Sequence, residues 1–120
     1  MRKPGPAHKK SLEFARRIVR LSLFMRTKKE FVLADQLLRA GTSIGSNIVE
    51  AEHGISKKDF HFKMYIAYKE CMETLYWLDL IRTGEYITES QYQSLKADCE
   101  ELGRLLAAIT KTTRESLLVE

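Results

Sequence analysis

Residues 39–52 read RAGTSIGSNIVEAE, and whether they form a loop or the middle of a helix decides the fold. Gly41, Thr42, Ser43, Gly45, Ser46 and Asn47 are mediocre or poor helix formers. The apolar residues around them nevertheless keep helical phase. Leu33, Leu37, Ala40, Ile44, Ile48, Ala51 and Ile55 follow one another at spacings of three and four, the mark of one helix face. A loop has no reason to hold that phase across two glycines. The stretch therefore reads as the interior of one helix that begins near Glu30 and is capped by Gly54.

Gly41 and Gly45 lie one turn apart on a common face of that helix, where missing side chains let another backbone approach. Each glycine costs roughly 0.5–1 kcal/mol relative to alanine, which close packing can offset. A second line down the helix is polar: Gln36, Arg39, Ser43, Asn47 and Glu50. It is a solvated strip, a network in which Asn47 and Glu50 bond to a neighbouring helix and fix its register, or a ligand-binding line.

Three more helices follow from the same reasoning. Residues 1–10 hold both prolines and four Lys/Arg and read as a flexible basic arm. Helix 1 is expected from Ser11 as N-cap, with Phe14, Ile18, Leu21 and Met25 inward. Helix 3 opens on the capping sequence Ser56-Lys57-Lys58-Asp59 and ends at Gly84. It carries two apolar stripes. One is Phe60, Met64, Ala67, Cys71, Leu75 and Leu78; the other is Phe62, Ile66, Trp77, Leu80 and Ile81, with Tyr65, Tyr68 and Tyr76 nearby. Helix 4 opens on the capping box Thr88-Glu89-Ser90-Gln91. Tyr92, Leu95, Cys99, Leu102, Leu106, Ile109 and Thr113 then repeat every 3.5 residues, as in a coiled-coil seam. Short connections make neighbours antiparallel. The expected architecture is an all-α, up-down-up-down four-helix bundle over residues 11–120 behind the arm at 1–10. One bundle this small covers about one stripe per helix, so the surplus apolar surface points to a homo-oligomer.

The 120 residues make one domain, with 44% apolar content and no run long enough to span a membrane. The basic N-terminus has no apolar stretch behind it, so no signal peptide and a cytoplasmic location are expected. Cys71 and Cys99 are then reduced, buried thiols. The net charge of +4 is unevenly spread. Residues 1–40 hold eleven Lys/Arg against Glu13, Glu30 and Asp35, net +8, while the remaining 80 residues carry −4. That asymmetry fits a polyanion contact or a solvated basic face.

As a set, the motifs resemble those of the four-helix-bundle family first noted in intervening sequences of bacterial 23S ribosomal RNA genes, the S23-like proteins. Arg39, Ser43, Ile44, Asn47, Ile48 and Glu50 match its first block. Ser56 to Phe60 match the second, and Ala67, Glu70 and Glu73, followed by Tyr76-Trp77-Leu78, fall in the third. Ala51 stands where the family usually has glycine. The resemblance covers roughly residues 11–115 and implies homopentameric rings. A distant branch serves as the accessory protein of diversity-generating retroelements, in which a basic pentamer assists a reverse transcriptase and binds nucleic acid. Most members have no assigned activity.

Catalysis is not expected. Glu50-x-x-His53 is half of a di-iron pair, but a bundle di-metal site needs two such pairs, and His8 and His61 do not follow a Glu by three. Glu70 and Glu73 are read as partners for Arg or Lys on another helix or subunit, and no metal or cofactor is expected. Phosphate loops and CxxC pairs are missing from the sequence. The candidate nucleic-acid contacts are Arg2, Lys3, Lys9 and Lys10 in the arm, Arg16, Arg17, Arg20 and Arg26 on helix 1, and Lys28 and Lys29 in the turn. With most aromatics in apolar stripes, contact with an RNA or DNA backbone is favoured over base stacking. The candidate oligomer or polar-network residues are Arg39, Gly41, Ser43, Gly45, Asn47, Glu50, Glu70, Glu73 and Trp77. The competing expectation is a protein-interaction scaffold with no nucleic-acid role.

Overall fold

A computed structural model describes residues 4–119. Four helices follow in order: α1 Pro6–Thr27, α2 Phe31–Glu52, α3 Lys57–Thr83 and α4 Glu89–Leu118, with no strand among the described residues. Residues 39–52 lie inside α2, unbroken. Ile44, Ile48 and Ala51 are buried there. Ile55, expected to extend that stripe, lies beyond the helix and is 98% exposed.

The helices pack as sequential neighbours, and α1 also meets α4. Contacts run in reverse order across each helix pair: Ser22 with the Ala34 carbonyl and His8 with Glu52, then Arg39 with Glu73 and Glu50 with Lys63, then Cys71 with Cys99 and His61 with Thr113. Arg17 with Asp98 and Lys10 with Glu101 close the circuit antiparallel. The bundle is therefore up-down-up-down, with α1 and α3 on a diagonal. Phe14, Ile18 and Met25 meet Leu37, Ile44, Leu78, Leu102 and Leu106 in one core.

The two glycines of α2 face α1 of the same chain. A Cβ on Gly41 would lie 2.8 Å from Ile18 Cγ2, and one on Gly45 would lie 3.1 Å from Ser11 Oγ. Close helix approach, predicted from their spacing, is thus met inside the bundle.

Helix α1 starts five residues before the expected Ser11. Pro6 sits in the first turn after Gly5, a position where a missing N–H costs nothing. Ala7 is buried, and His8 Nδ1 lies 2.8 Å from Glu52 Oε1 at the end of α2. Residues 6–10 therefore belong to the bundle rather than to a flexible arm, and Ser11, far from capping, is buried and donates from Oγ to the His8 carbonyl (2.8 Å). Arg2 and Lys3 lie outside the described residues.

The other ends are capped in different ways. Ser56 accepts from the Asp59 N–H at 3.0 Å, and the capping box of Thr88 and Gln91 is complete. Helix α1 ends with Lys29 N–H donating to Arg26 O and Glu30 N–H donating to Met25 O. Helix α3 ends with Glu85 N–H donating to Arg82 O and Tyr86 N–H donating to Ile81 O. Both are Schellman closures, and each places a non-glycine residue in the left-handed region: Lys29 at φ 63° and Glu85 at φ 62°. Gly84 caps α3 with right-handed geometry. Gly54 follows α2 without a positive φ; a Cβ there would meet Asp59 Oδ2 at 2.8 Å.

Candidate nucleic-acid interface

Helix α1 carries six Lys/Arg and a single carboxylate, Glu13. The fold sorts these cations into two groups. Lys10 Nζ lies 2.5 Å from Glu101 Oε1, and that hydrogen bond raises the ammonium pKa. Arg17 donates to Asp98 Oδ2 (2.6 Å) and to Ser94 Oγ (3.0 Å) on α4. Arg26 donates to Asp35 Oδ1 (2.5 Å) and stacks on Phe31. These three are held by the bundle. Lys9, Arg16 and Arg20, with Lys28 and Lys29 in the turn, are exposed and have no acidic partner among the described residues. Lys28 lies over the Phe24 ring, 5.5 Å from its centre.

Beside Arg20 a cleft of about 750 Å³ opens between α1, the α3–α4 turn and the start of α4. Leu21, Phe24, Ile87 and Leu95 form its apolar surface. Tyr86, Thr88 and Gln91 add polar groups, and Arg17, Arg20 and Glu85 stand at its edge. Phe24 is 47% exposed there. The sequence reading assigned most aromatics to apolar stripes, whereas Phe24 is exposed at this cleft. The signal was faint: Phe24 follows Arg20 by one turn, but Tyr86 and Ile87 sit in a connection with no periodicity.

The predicted polar-network residues divide. Arg39 donates to Gln36 Oε1 (3.3 Å) and Glu70 Oε2 (3.4 Å) and bonds to Glu73 Oε2, which also accepts from Trp77 Nε1 (2.8 Å). These side chains tie α2 to α3 within the chain. Glu50 pairs separately with Lys63 at 3.1 Å. Ser43 and Asn47 do not bridge helices: Ser43 Oγ donates to Arg39 O (2.6 Å) and Asn47 Nδ2 to Ser43 O (2.8 Å), both within α2. Gly41 and Gly45 face Ile18 and Ser11.

Helix α3 leaves one face bare. Phe62, Tyr65, Ile66, Met72 and Tyr76 are all exposed, Phe62 at 50% and Tyr76 at 60%. At 100° per residue they fall within an arc of about 120°. The sequence marked α3 as apolar on several sides, and the stripe through Met64, Ala67, Cys71 and Leu78 took the core. Cys71 and Cys99 are free and buried, their sulfurs 3.5 Å apart; the hydrogen bond with Cys71 and burial push the Cys99 thiol pKa up, away from thiolate chemistry. Among the described residues no three His, Cys, Asp or Glu side chains gather as metal ligands, and no helix is long and apolar enough to cross a membrane.

The described residues form an all-α four-helix bundle with a cationic first helix and an aromatic outer face on its third. The chain belongs to the 23S rRNA-intervening sequence protein family, which it matches over residues 6–108. A crystal structure of a protein of unknown function from the S23 ribosomal protein family of Bacteroides thetaiotaomicron is 52% identical. The similarity covers 88% of this chain and 98% of that one, with a TM-score of 0.85. No curated protein matches the chain.

Proposed function

We propose that the protein is a non-enzymatic, homo-oligomeric helical bundle that binds RNA or DNA and serves a retroelement or RNA-associated process as an accessory adaptor. The observation that carries this reading is the set of exposed cations Lys9, Arg16, Arg20, Lys28 and Lys29 along α1 and its turn, which have no acidic partner among the described residues. The bundle supplies acidic partners for Lys10, Arg17 and Arg26 and leaves these five to solvent. Phosphates that displace counterions from such a row bind without reading sequence. Assembly follows from the bare face of α3. An aromatic surface of this extent is covered when a second copy packs on it, and a closed ring of five copies is the form the family resemblance gives. Because α1 lies diagonal to α3, the aromatic face of α3 and the cations of α1 are separate surfaces of the bundle, and a ring repeats both. The accessory proteins of diversity-generating retroelements make a reverse transcriptase the first protein partner to test.

The experiment is a titration of labelled duplex and structured RNA into nuclease-treated protein at about 50 and 200 mM salt. Binding that weakens steeply with salt is expected. No binding at low salt, or binding indifferent to salt, removes the reading. The second reading is a protein-interaction scaffold, favoured by the same aromatic face of α3. A protein that co-purifies through nuclease and high salt supports it over the first.

A further inference from the structure

The cleft beside Arg20 does more than a row of cations needs. We propose that it receives one unstacked base of a single-stranded RNA or DNA segment, with Arg20 on the adjoining phosphate. This rests on the nucleic-acid reading above and adds a base-binding site to it. Four observations carry it. The Phe24 ring is 47% exposed at the cleft surface, with Tyr86 also lining it, so a flat π-system finds aromatic surface inside. Arg20 precedes Phe24 by one helical turn and has no acidic partner, whereas Arg17, at the same edge, is fixed by Asp98 and Ser94. One cation at the edge is therefore free to take a phosphate, and Arg16 continues the track one turn back.

The third observation concerns hydrogen-bond supply. The capping box uses Thr88 Oγ and Gln91 Oε1 as acceptors, at 3.1 and 2.9 Å. What remains on that wall is the Gln91 amide NH2 and the Thr88 hydroxyl proton, donors suited to the carbonyl edge of a base. Fourth, at about 750 Å³ the cleft is of small-ligand size.

The test uses the full chain and two single strands of equal length and charge, one intact and one abasic at every position. The intact strand is expected to bind about 10-fold more tightly, the increment of one stacked base. Phe24→Ala and Tyr86→Leu, checked for native helicity and melting, bring the two strands together. Arg20→Gln weakens both by a similar factor. Equal affinity of intact and abasic strands in the wild-type protein overturns the base site and leaves backbone binding standing. A preference for the intact strand that survives in folded Phe24→Ala also overturns it, because the base is then read elsewhere. Failure of both single strands to bind a protein that still binds duplex ends this proposal alone, whereas failure of the single strands and the duplex together ends the nucleic-acid reading as well. The comparison on the wild-type protein needs no variant, so a poorly folding mutant does not decide the matter.

Discussion

Lys29 and Glu85 hold the left-handed backbone positions that close α1 and α3, where an L side chain costs about 1 kcal/mol more than glycine. Lys29→Gly and Glu85→Gly are each expected to raise the unfolding free energy by about 1 kcal/mol, read from urea denaturation. Gly41 behaves in the opposite way. Alanine favours the helix by up to about 1 kcal/mol, but its Cβ would press within 2.8 Å of Ile18, a fully buried side chain. Gly41→Ala is expected to lose roughly 1–3 kcal/mol by overpacking, and Gly45→Ala less, since its neighbour is Ser11 Oγ at 3.1 Å. Cys99 supplies a pH dependence. Its folded pKa is raised above an ordinary value of 9.0, so its contribution is fully present below about pH 9 and is lost as pH rises further. In that range the unfolded chain ionises the thiol while the folded one keeps the proton, so stability falls by up to roughly 1.4 kcal/mol per pH unit. Cys99→Ala should flatten the fall between pH 8 and pH 10 in urea titrations; an unchanged slope would remove the thiol as its cause. The glycines were readable in advance because they interrupt composition without interrupting phase. The left-handed positions were not, because neither Lys29 nor Glu85 is a residue type that announces such a backbone.

Among the helices, α1 shows where sequence reasoning stops. Its cations are plain in the sequence, but which of them stay free depends on Asp98 and Glu101 of α4, residues far along the chain that align with Arg17 and Lys10 only once the bundle closes. Its start was missed because Pro4-Gly5-Pro6 reads as a breaker, although a proline in the first turn also begins a helix. For α3 the limit is different. Apolar residues on several sides give periodicity no single answer, and the face that meets α2 and α4 is settled by their surfaces. The division between held and free cations predicts a contrast. Arg16→Gln and Arg20→Gln should each reduce the salt slope of duplex binding by about 0.9. Arg26→Gln, which removes a cation already held by Asp35, should change it much less. Equal effects from all three, measured by fluorescence titration, would show that the fold does not sort the charges.

The bundle as a unit is a rod of roughly 51 × 20 × 20 Å with a buried core and an aromatic outer face. Its helix count, order and antiparallel packing follow from four amphipathic segments and three short turns, which is why they were readable from the chain. The proposed assembly rests on Phe62, Tyr65, Ile66, Met72 and Tyr76, which are exposed on the single chain. Placing a charge in that face, as in Ile66→Glu or Tyr76→Glu, should separate the copies without unfolding them, because neither side chain is in the core. The most direct measurement is the solution mass of nuclease-treated protein by light scattering. A closed assembly gives a multiple of the 13.9 kDa chain mass, five-fold in a pentamer, that falls to one chain in Tyr76→Glu. A stable, folded single chain in dilute buffer would contradict it.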